Sequence, residues 1–125
     1  PPVRFGRAAP IGQPQTSPGS ALKRQSHDDV TRRLHELAKR SETGFRYTRH
    51  ALDEMRADQV SKLDVHYVLK RCPVVRVEQN RMEETWNVRG RDADGRMIEI
   101  VLVAYERELK IKIITVWRAR EGRNR

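Results

Sequence analysis

The stretch that decides the fold is MIEIVLVAYERELKIKIITVWR, residues 97–118. Its first part, Met97–Tyr105, is apolar at nearly every position, which is typical of an interior strand covered on both faces. Its second part, Lys110–Arg118, follows a predicted turn at residues 107–109 and places Ile and Val at the spacing of another buried strand. Residues 97–118 therefore predict two neighbouring antiparallel strands.

The sequence just upstream predicts two more strands. Residues 73–78 form a short first strand, and residues 83–90 alternate between polar and apolar side chains. Residues 92–95, DADG, have the composition of a hairpin turn in which Gly95 can adopt a positive φ. The four segments together predict a four-stranded antiparallel meander.

Two short helices are expected before these strands. Thr48 is suited to cap the first helix, and Ser61 with Asp64 forms a capping box for the second, which Pro73 ends. We therefore expect an α+β domain in which N-terminal helices pack on the meander. The predicted apolar faces of the two helices consist of Ala51, Leu52 and Met55 in the first and Leu63, Val65, Val68 and Leu69 in the second.

The N-terminal part of the chain has a different character. Five of the six prolines lie within residues 1–25, which lack the apolar pattern needed to offset the entropy of ordering. Ser26 resembles a helix N-cap, and Val30, Leu34 and Leu37 follow it on one helical face, which must dock on this domain or on a partner. The predicted organisation is a flexible basic arm at residues 1–25, an amphipathic helix and connector at 26–44, the α+β domain at 45–120 and a basic tail at 121–125.

The formal net charge of +9 is concentrated at the two ends of the chain. Residues 26–106 carry 15 basic and 15 acidic side chains, whereas residues 1–25 carry four basic ones and no acidic one. Residues 107–125 carry seven basic side chains against two acidic ones. Basic ends on a neutral body favour a polyanionic partner such as RNA, although arginine-rich termini can also simply maintain solubility.

Several classes of protein are excluded by composition. Cys72 is the only cysteine, so the chain can form neither an internal disulfide nor a cysteine-based zinc site, and we interpret Cys72 as a buried apolar residue. No apolar run approaches the roughly 20 residues that span a bilayer. His27, His35 and His66 have no second ligand at metal-binding spacing. We expect a cytoplasmic protein without a metal, a cofactor or a membrane anchor.

Three segments resemble one known family in the same order. They are the segment TRHALDEM at residues 48–55, the hairpin VRGRDADGR at 88–96 and the final strand IKIITVWR at 111–118. These segments resemble the RelE/BrnT-like superfamily of bacterial toxins. The resemblance implies a RelE-like fold, RNA cleavage without a metal, and inhibition by a small acidic antitoxin protein. One departure is Asp58, which stands where similar proteins usually carry arginine.

Metal-free RNA cleavage requires a base, an acid and cations that stabilise the charged transition state. His50 is the natural proton carrier, because histidine is the side chain that ordinarily exchanges a proton near neutral pH; its alternative role is to anchor the first helix. Lys112, Arg118 and Arg120 alternate along the last strand and beyond it, so we expect them on one face, either as a phosphate clamp or as a solvated surface.

Further side chains complete the predicted RNA site. Arg49 and Arg120 are expected to contact the RNA, and Trp117 either stacks on a base or belongs to the core. Tyr105 ends a neighbouring strand and could serve proton transfer, although a turn residue is the plainer interpretation. The leading hypothesis is a toxin-like, metal-independent endoribonuclease; the alternatives are a non-catalytic nucleic-acid or protein binding module, and the C-terminal toxic domain of a longer secreted effector.

Overall fold

The structure is a computed structural model that describes residues 18–119, with side chains from residue 27 onward. The helices precede a run of four consecutive strands, and this segregation is typical of an α+β fold, which confirms the predicted class. The predicted tail at residues 121–125 and the first 17 residues of the predicted arm lie outside the described residues. The elements are α1 (Pro18–Lys39), β1 (Gly44–Tyr47), α2 (Arg49–Asp58), α3 (Lys62–Arg71), β2 (Val74–Gln79), β3 (Glu84–Arg91), β4 (Met97–Tyr105) and β5 (Lys110–Arg118).

The sheet has five strands in the order β1-β5-β4-β3-β2. Strands β2 to β5 are antiparallel neighbours, but β1 is parallel to β5, with Gly44 opposite Lys110 and Tyr47 opposite Ile113. The prediction of a four-stranded antiparallel meander was therefore wrong, because the sheet is mixed and has a fifth strand. Strand β1 has only four residues, which is too short to show a recognisable period, and its partner is distant in sequence.

A bulge in β5 changes the direction of its side chains. Val101 pairs with Thr115 and Leu102 with Ile113, so Ile114 is an extra residue without an opposite partner. Ile113 and Val116 consequently both face the core, although they are separated by an odd number of positions. Beyond the bulge, every side chain of β5 points to the face opposite to the one that simple alternation predicts.

The three helices among residues 18–119 lie against one face or one edge of the sheet. α1 packs on α3 and β2, α3 packs on β3, and α2 packs on β5. Each fully buried aliphatic side chain between these layers stabilises the fold by about 2 kcal/mol. The opposite face is uncovered by any described helix, and we call it the open face. The largest fully buried side chains are Leu34, Leu69, Ile98, Ile100, Leu102, Ile111, Ile113, Val65, Val68, Val88 and Val116.

Helix α1 docks on its own domain. It begins at Pro18, so Ser26 lies within the helix and is not its N-cap. Val30, Leu34 and Leu37 are buried, as the amphipathic pattern predicted. Polar contacts fix the helix in place: Thr31 Oγ1 accepts a hydrogen bond from the Val74 amide at 2.9 Å, His35 Nε2 lies 2.8 Å from the Cys72 carbonyl oxygen, and Arg33 forms a 2.7 Å ion pair with Glu106.

Both predicted helix caps are confirmed. Thr48 Oγ1 accepts a hydrogen bond from the Ala51 amide at 3.0 Å, and Ser61 and Asp64 form the reciprocal capping box. One residue of the predicted apolar face is misplaced, since Leu63 is 79% exposed. It lies two positions before the buried Val65, and two helical steps rotate a side chain by about 200°.

The hairpin between β3 and β4 is fastened to α3 by Arg96. The predicted turn is present, with Gly95 at φ +87°. The guanidinium of Arg96 lies 2.8 Å from the Asp92 carboxylate and 3.0 Å from the Asp64 carboxylate, and it donates to the Gln59 carbonyl at 2.9 Å. Arg96 therefore joins the turn both to Asp64 in the first turn of α3 and to Gln59, the residue that caps the end of α2.

Candidate functional site

Helix α2 occupies the edge of β5 where β1 ends. The Glu54 carboxylate accepts a hydrogen bond from the Val116 amide at 3.0 Å, and Asp58 accepts one from the Arg118 amide at 2.9 Å. Thr48 Oγ1 donates to the Ile114 carbonyl at 3.0 Å. Four helical residues advance about 6 Å, and two strand residues advance nearly the same distance, about 6.7 Å. Acidic residues one helical turn apart can therefore satisfy successive outward-facing amides of a strand.

His50 lies at the start of α2 and is accessible to solvent. Its side chain is 66% exposed, and its Nε2 atom lies 3.3 Å from Oε2 of Glu54. The other oxygen of Glu54 is held by the Val116 amide, so the carboxylate is fixed and in turn orients the imidazole. Arg49, its exposed neighbour, points about 100° away around the helix. The alternative role of His50 was to anchor α2. This geometry does not favour that role, because the imidazole ring is exposed.

The position of His50 around α2 places it at the rim of the open face. Ala51 and Met55 are buried on the side of the core, while Glu54 and Asp58 face the edge of β5. His50 lies about 40° beyond Glu54 on the side away from the buried residues. The imidazole is therefore near the line where the β5 edge meets the open face.

The predicted phosphate clamp is split by the bulge in β5. Lys112 is opposite Val103 on the open face, whereas Arg118 is opposite the core residue Ile98 and lies on the helical side. The prediction that Lys112 and Arg118 share a face was wrong, because Ile114 adds one residue between them. The third predicted member, Arg120, lies outside the described residues.

Trp117 shares the open face with Lys112, also because of the bulge. It is opposite Glu99 and half-buried, so it is not part of the main core. The sequence placed it on the side opposite to Lys112. An indole that is half exposed on an uncovered sheet face is available for stacking.

A second group of polar side chains surrounds Lys112. Tyr105 donates a 2.7 Å hydrogen bond to Oε2 of Glu83, and Lys112 Nζ lies 3.4 Å from the same oxygen. We call these three residues the Glu83 cluster. The side chains of Glu83 and Lys112 are both 35% exposed, so small solutes can reach them. Lys110 places its ammonium group 4.9 Å from the centre of the Tyr105 ring.

The hydrogen bonds of the cluster fix its protonation at neutral pH. The bond from Tyr105, supported by Lys112, lowers the pKa of Glu83, and the same bond to Glu83 raises the pKa of Tyr105. The carboxyl group is therefore ionised and the phenol is protonated at neutral pH. A proton acceptor, a proton donor and a cation thus meet at one carboxylate oxygen.

Arg46 adds a second cation beside the cluster. It is opposite Lys112 in the parallel pairing of β1 and β5, so the two side chains lie next to each other on the open face. Arg46 is exposed, and among residues 27–119 no acidic side chain forms a salt bridge with it. A shallow cavity of about 220 Å³ opens at the same end of the sheet, lined in part by Glu83 and Tyr105.

Three of these residues were missed in the sequence. Glu83 lies in the turn between β2 and β3, and Arg46 lies on the short β1, so only the strand pairing brings them to Lys112. Glu54 was recognisable, because it follows His50 by one helical turn and an i, i+4 acid is a standard partner. The sequence had suggested Tyr105 for proton transfer, with a turn residue as the plainer interpretation. Its hydrogen bond to Glu83 favours the first of these two roles.

A metal site receives no support from the acidic residues. Among the described side chains, one group of three potential ligands lies within 4.8 Å, formed by Asp64, Asp92 and Asp94. The Arg96 guanidinium already pairs with two of these carboxylates.

Cys72 is buried, and burial raises the pKa of its thiol, which fits the predicted apolar role.

The fold and the site define a small α+β domain with a partly basic, uncovered sheet face. Residues 47–118, more than half of the chain, match the family described as Domain of unknown function (DUF4258). The chain belongs to this family, and the matched region contains His50 and the whole Glu83 cluster. No curated protein and no solved structure matched the chain. None of the helices among residues 18–119 has the length and apolar character that crossing a membrane requires.

Proposed function

We propose that this protein is a metal-independent endoribonuclease of the bacterial toxin type, which a small acidic antitoxin neutralises. The observation that supports the proposal is the Glu83 cluster, because it brings a base, an acid and a cation together on the open face. RNA supplies its own nucleophile, the ribose 2′-hydroxyl, so no serine or cysteine is required.

Each member of the cluster has a defined role in the proposed reaction. Glu83, ionised at neutral pH, accepts the proton of the 2′-hydroxyl as its oxygen attacks phosphorus. Lys112 and Arg46 stabilise the negative charge that develops on the phosphoryl oxygens. Tyr105 exchanges its bond to Glu83 for one to the 5′ oxygen and donates its proton as the P–O5′ bond breaks. The products are a 2′,3′-cyclic phosphate and a free 5′-hydroxyl.

His50 is the second candidate for proton transfer. Its exposed imidazole is oriented by Glu54 at the rim of the same face, and RNA crossing that face would reach both positions. Trp117, further along β5, offers a stacking surface for a base. Arg118 has no role in this arrangement, since its side chain belongs to the other face.

The test is cleavage of a short RNA by the purified protein in EDTA. We expect Glu83→Gln and Tyr105→Phe each to slow cleavage by about 10²-fold or more, because each removes a proton-transfer group. Glu99→Gln is the matched control: Glu99 is also on the open face and also in an ion pair, at 3.2 Å from Arg89, and its loss should leave the rate unchanged.

Two results would overturn this assignment. Cleavage that survives Glu83→Gln and Tyr105→Phe but disappears in His50→Ala would move the reaction to the rim of the face. Absence of any product, together with normal growth of cells that express the protein, would remove the nuclease altogether.

A non-catalytic binding module is the second candidate, and one observation favours it. Lys112 is already paired with Glu83, and the bulge separates it from Arg118, so the two described members of the predicted clamp cannot stabilise one transition state together. This function predicts RNA binding without a product and with an affinity that falls steeply between about 50 and 200 mM salt. One titration of RNA with the protein distinguishes the two functions. A native gel of each sample shows binding, and a denaturing gel of the same sample shows whether a cleavage product has formed.

A further inference from the structure

The two edges of the sheet differ in how they are protected. On one side, the edge strand β1 has only four residues, and the acidic residues of α2 satisfy the outer amides of β5 beyond it, so little unpaired edge remains. On the other side, β2 is the last strand, and no described strand pairs with its outer edge. Thr31 satisfies the amide of Val74 only, at the beginning of β2. An unpaired edge of this kind is a template for pairing with another strand.

The charges along β2 are complementary to themselves. Arg76 and Glu78 both point to the open face and lie 2.9 Å apart within one chain. If two copies of β2 are placed antiparallel about a two-fold axis at Val77, Arg76 of each copy lies directly opposite Glu78 of the other. Opposite charges at directly facing positions stabilise an antiparallel pair, and the two-fold symmetry forms this contact twice.

Exposed apolar side chains flank the same edge. Among the described residues, three large hydrophobic side chains are exposed, and two of them are Val75, at 46%, and Met82, at 88%. Met82 lies in the turn that follows β2. In the two-fold arrangement Val75 lies opposite Gln79 of the second copy, and the turn that carries Met82 follows directly after that pair. Pairing of the strands would therefore cover part of the exposed Val75 side chain.

We propose that β2 pairs antiparallel with β2 of a second copy of this chain about a two-fold axis at Val77, which joins two five-stranded sheets into one. The alternating charges alone could also serve to keep strands apart. Repulsion requires like charges to face each other, however, and the pairing about Val77 places unlike charges opposite. The irregularity between Val74 and Arg76 limits the paired segment, so we expect a weak dimer that forms in the micromolar range or above.

The experiment is sedimentation velocity of the full chain over a concentration series at low salt. We expect the native protein to dimerise, and Arg76→Glu and Glu78→Arg each to weaken the dimer by about tenfold, because each places like charges opposite across the axis. The double variant exchanges the two charges and should restore dimerisation to within about threefold of the native protein. Arg56→Glu is the matched control, since it reverses one charge of another exposed ion pair and should not change the association.

A second measurement tests the register directly. With Val77→Cys, a short thiol-reactive cross-linker should produce a covalent dimer, whereas Arg56→Cys should not; the native Cys72 is buried. Circular dichroism establishes that every variant is folded. The proposal is overturned by a native protein that stays monomeric at the highest concentration, by a dimer that is indifferent to both single charge reversals, or by a double variant no better than the single ones.

Discussion

The carboxylate of Asp58, at the last position of α2, accepts a 2.9 Å hydrogen bond from the backbone amide of Arg118 at the end of β5. In the sequence, Asp58 stands out only because it replaces a positive charge. In the structure, its carboxylate caps the end of β5 by accepting the last outward-facing amide. The resemblance leads us to expect arginine at this position, and an arginine could not accept this bond. The departure therefore has a structural explanation in this chain.

The first prediction concerns this cap. Asp58→Ala should lower the free energy of unfolding by about 1–2 kcal/mol, because it leaves a strand amide without its acceptor. Asp58→Asn should retain most of the stability, since its amide oxygen still accepts. Urea denaturation measures the change, and hydrogen exchange at Arg118 localises it. Asp53→Ala is the control, and should remain within about 0.5 kcal/mol because that side chain is 61% exposed. An equal loss at both positions would contradict the cap.

Tyr47 gives a prediction for alkaline pH. Its hydroxyl group is buried and has no hydrogen-bond partner among the described residues, and burial raises the pKa of Tyr47 from 10.0 to about 12. The unfolded chain therefore ionises first, so this residue contributes stability below pH 10 that is lost as the pH rises toward 12. Tyr47→Phe should cost nothing at pH 7 and should make the alkaline loss of stability less steep. Denaturation curves at several pH values measure both effects; a clear loss at pH 7 would indicate a hidden partner for the hydroxyl.

Arg96 gives the corresponding prediction for acid. Burial alone would raise the pKa of Asp92, but hydrogen bonds from the amide and guanidinium of Arg96 lower it below its ordinary 3.8. Asp92 therefore contributes stability above that pH, and the contribution is lost as the pH falls further. Arg96→Ala should destabilise the protein by about 3 kcal/mol at pH 7, because it removes the ion-pair partner of a carboxylate with 0% side-chain exposure.

The lysine variant sharpens this test. Arg96→Lys should recover only part of the loss, since a single ammonium group cannot reach Asp92, Asp64 and the Gln59 carbonyl together. Thermal denaturation at pH 7 and below pH 4 distinguishes the variants. Full recovery by lysine would show that charge alone, without the forked geometry, holds the hairpin to α3.

Gly90 gives a prediction about packing. A Cβ atom at this position would overlap Cys72 Sγ and lie 2.5 Å from Cys72 Cβ. Gly90→Ala should therefore destabilise the fold by about 1–3 kcal/mol. Adding Cys72→Gly should relieve most of the overlap, so the double variant should be more stable than Gly90→Ala alone. A double variant that shows no gain would mean that the close approach of β3 to residue 72 is not the reason for glycine.

Local signals in the sequence were sufficient where the structure depends on neighbouring residues. The cap at Thr48, the box formed by Ser61 and Asp64, and the turn at Gly95 were all predicted, because each depends on side chains within a few positions. The bounds of β4 and β5 were also predicted correctly, since long buried strands have a strong apolar pattern.

Features that depend on distant residues were not predictable. The four residues of β1 become a strand only because β5 is beside them, and the bulge at Ile114 has no signature in an apolar segment. That one extra residue moved Arg118 away from Lys112 and Trp117 toward it. Glu83 lies beside Lys112 only because β3 pairs with β4 and β4 pairs with β5, and these strands all follow Glu83 in the sequence.

Because α2 covers the edge of β5, the number of residues in α2 is constrained. Two carboxylates meet two amides only because one helical turn matches two strand residues. A single inserted residue between Thr48 and Glu54 would rotate both acids by about 100° and would separate them from β5 at once. We therefore expect relatives with the same edge to vary in composition along α2 but to keep its number of residues constant.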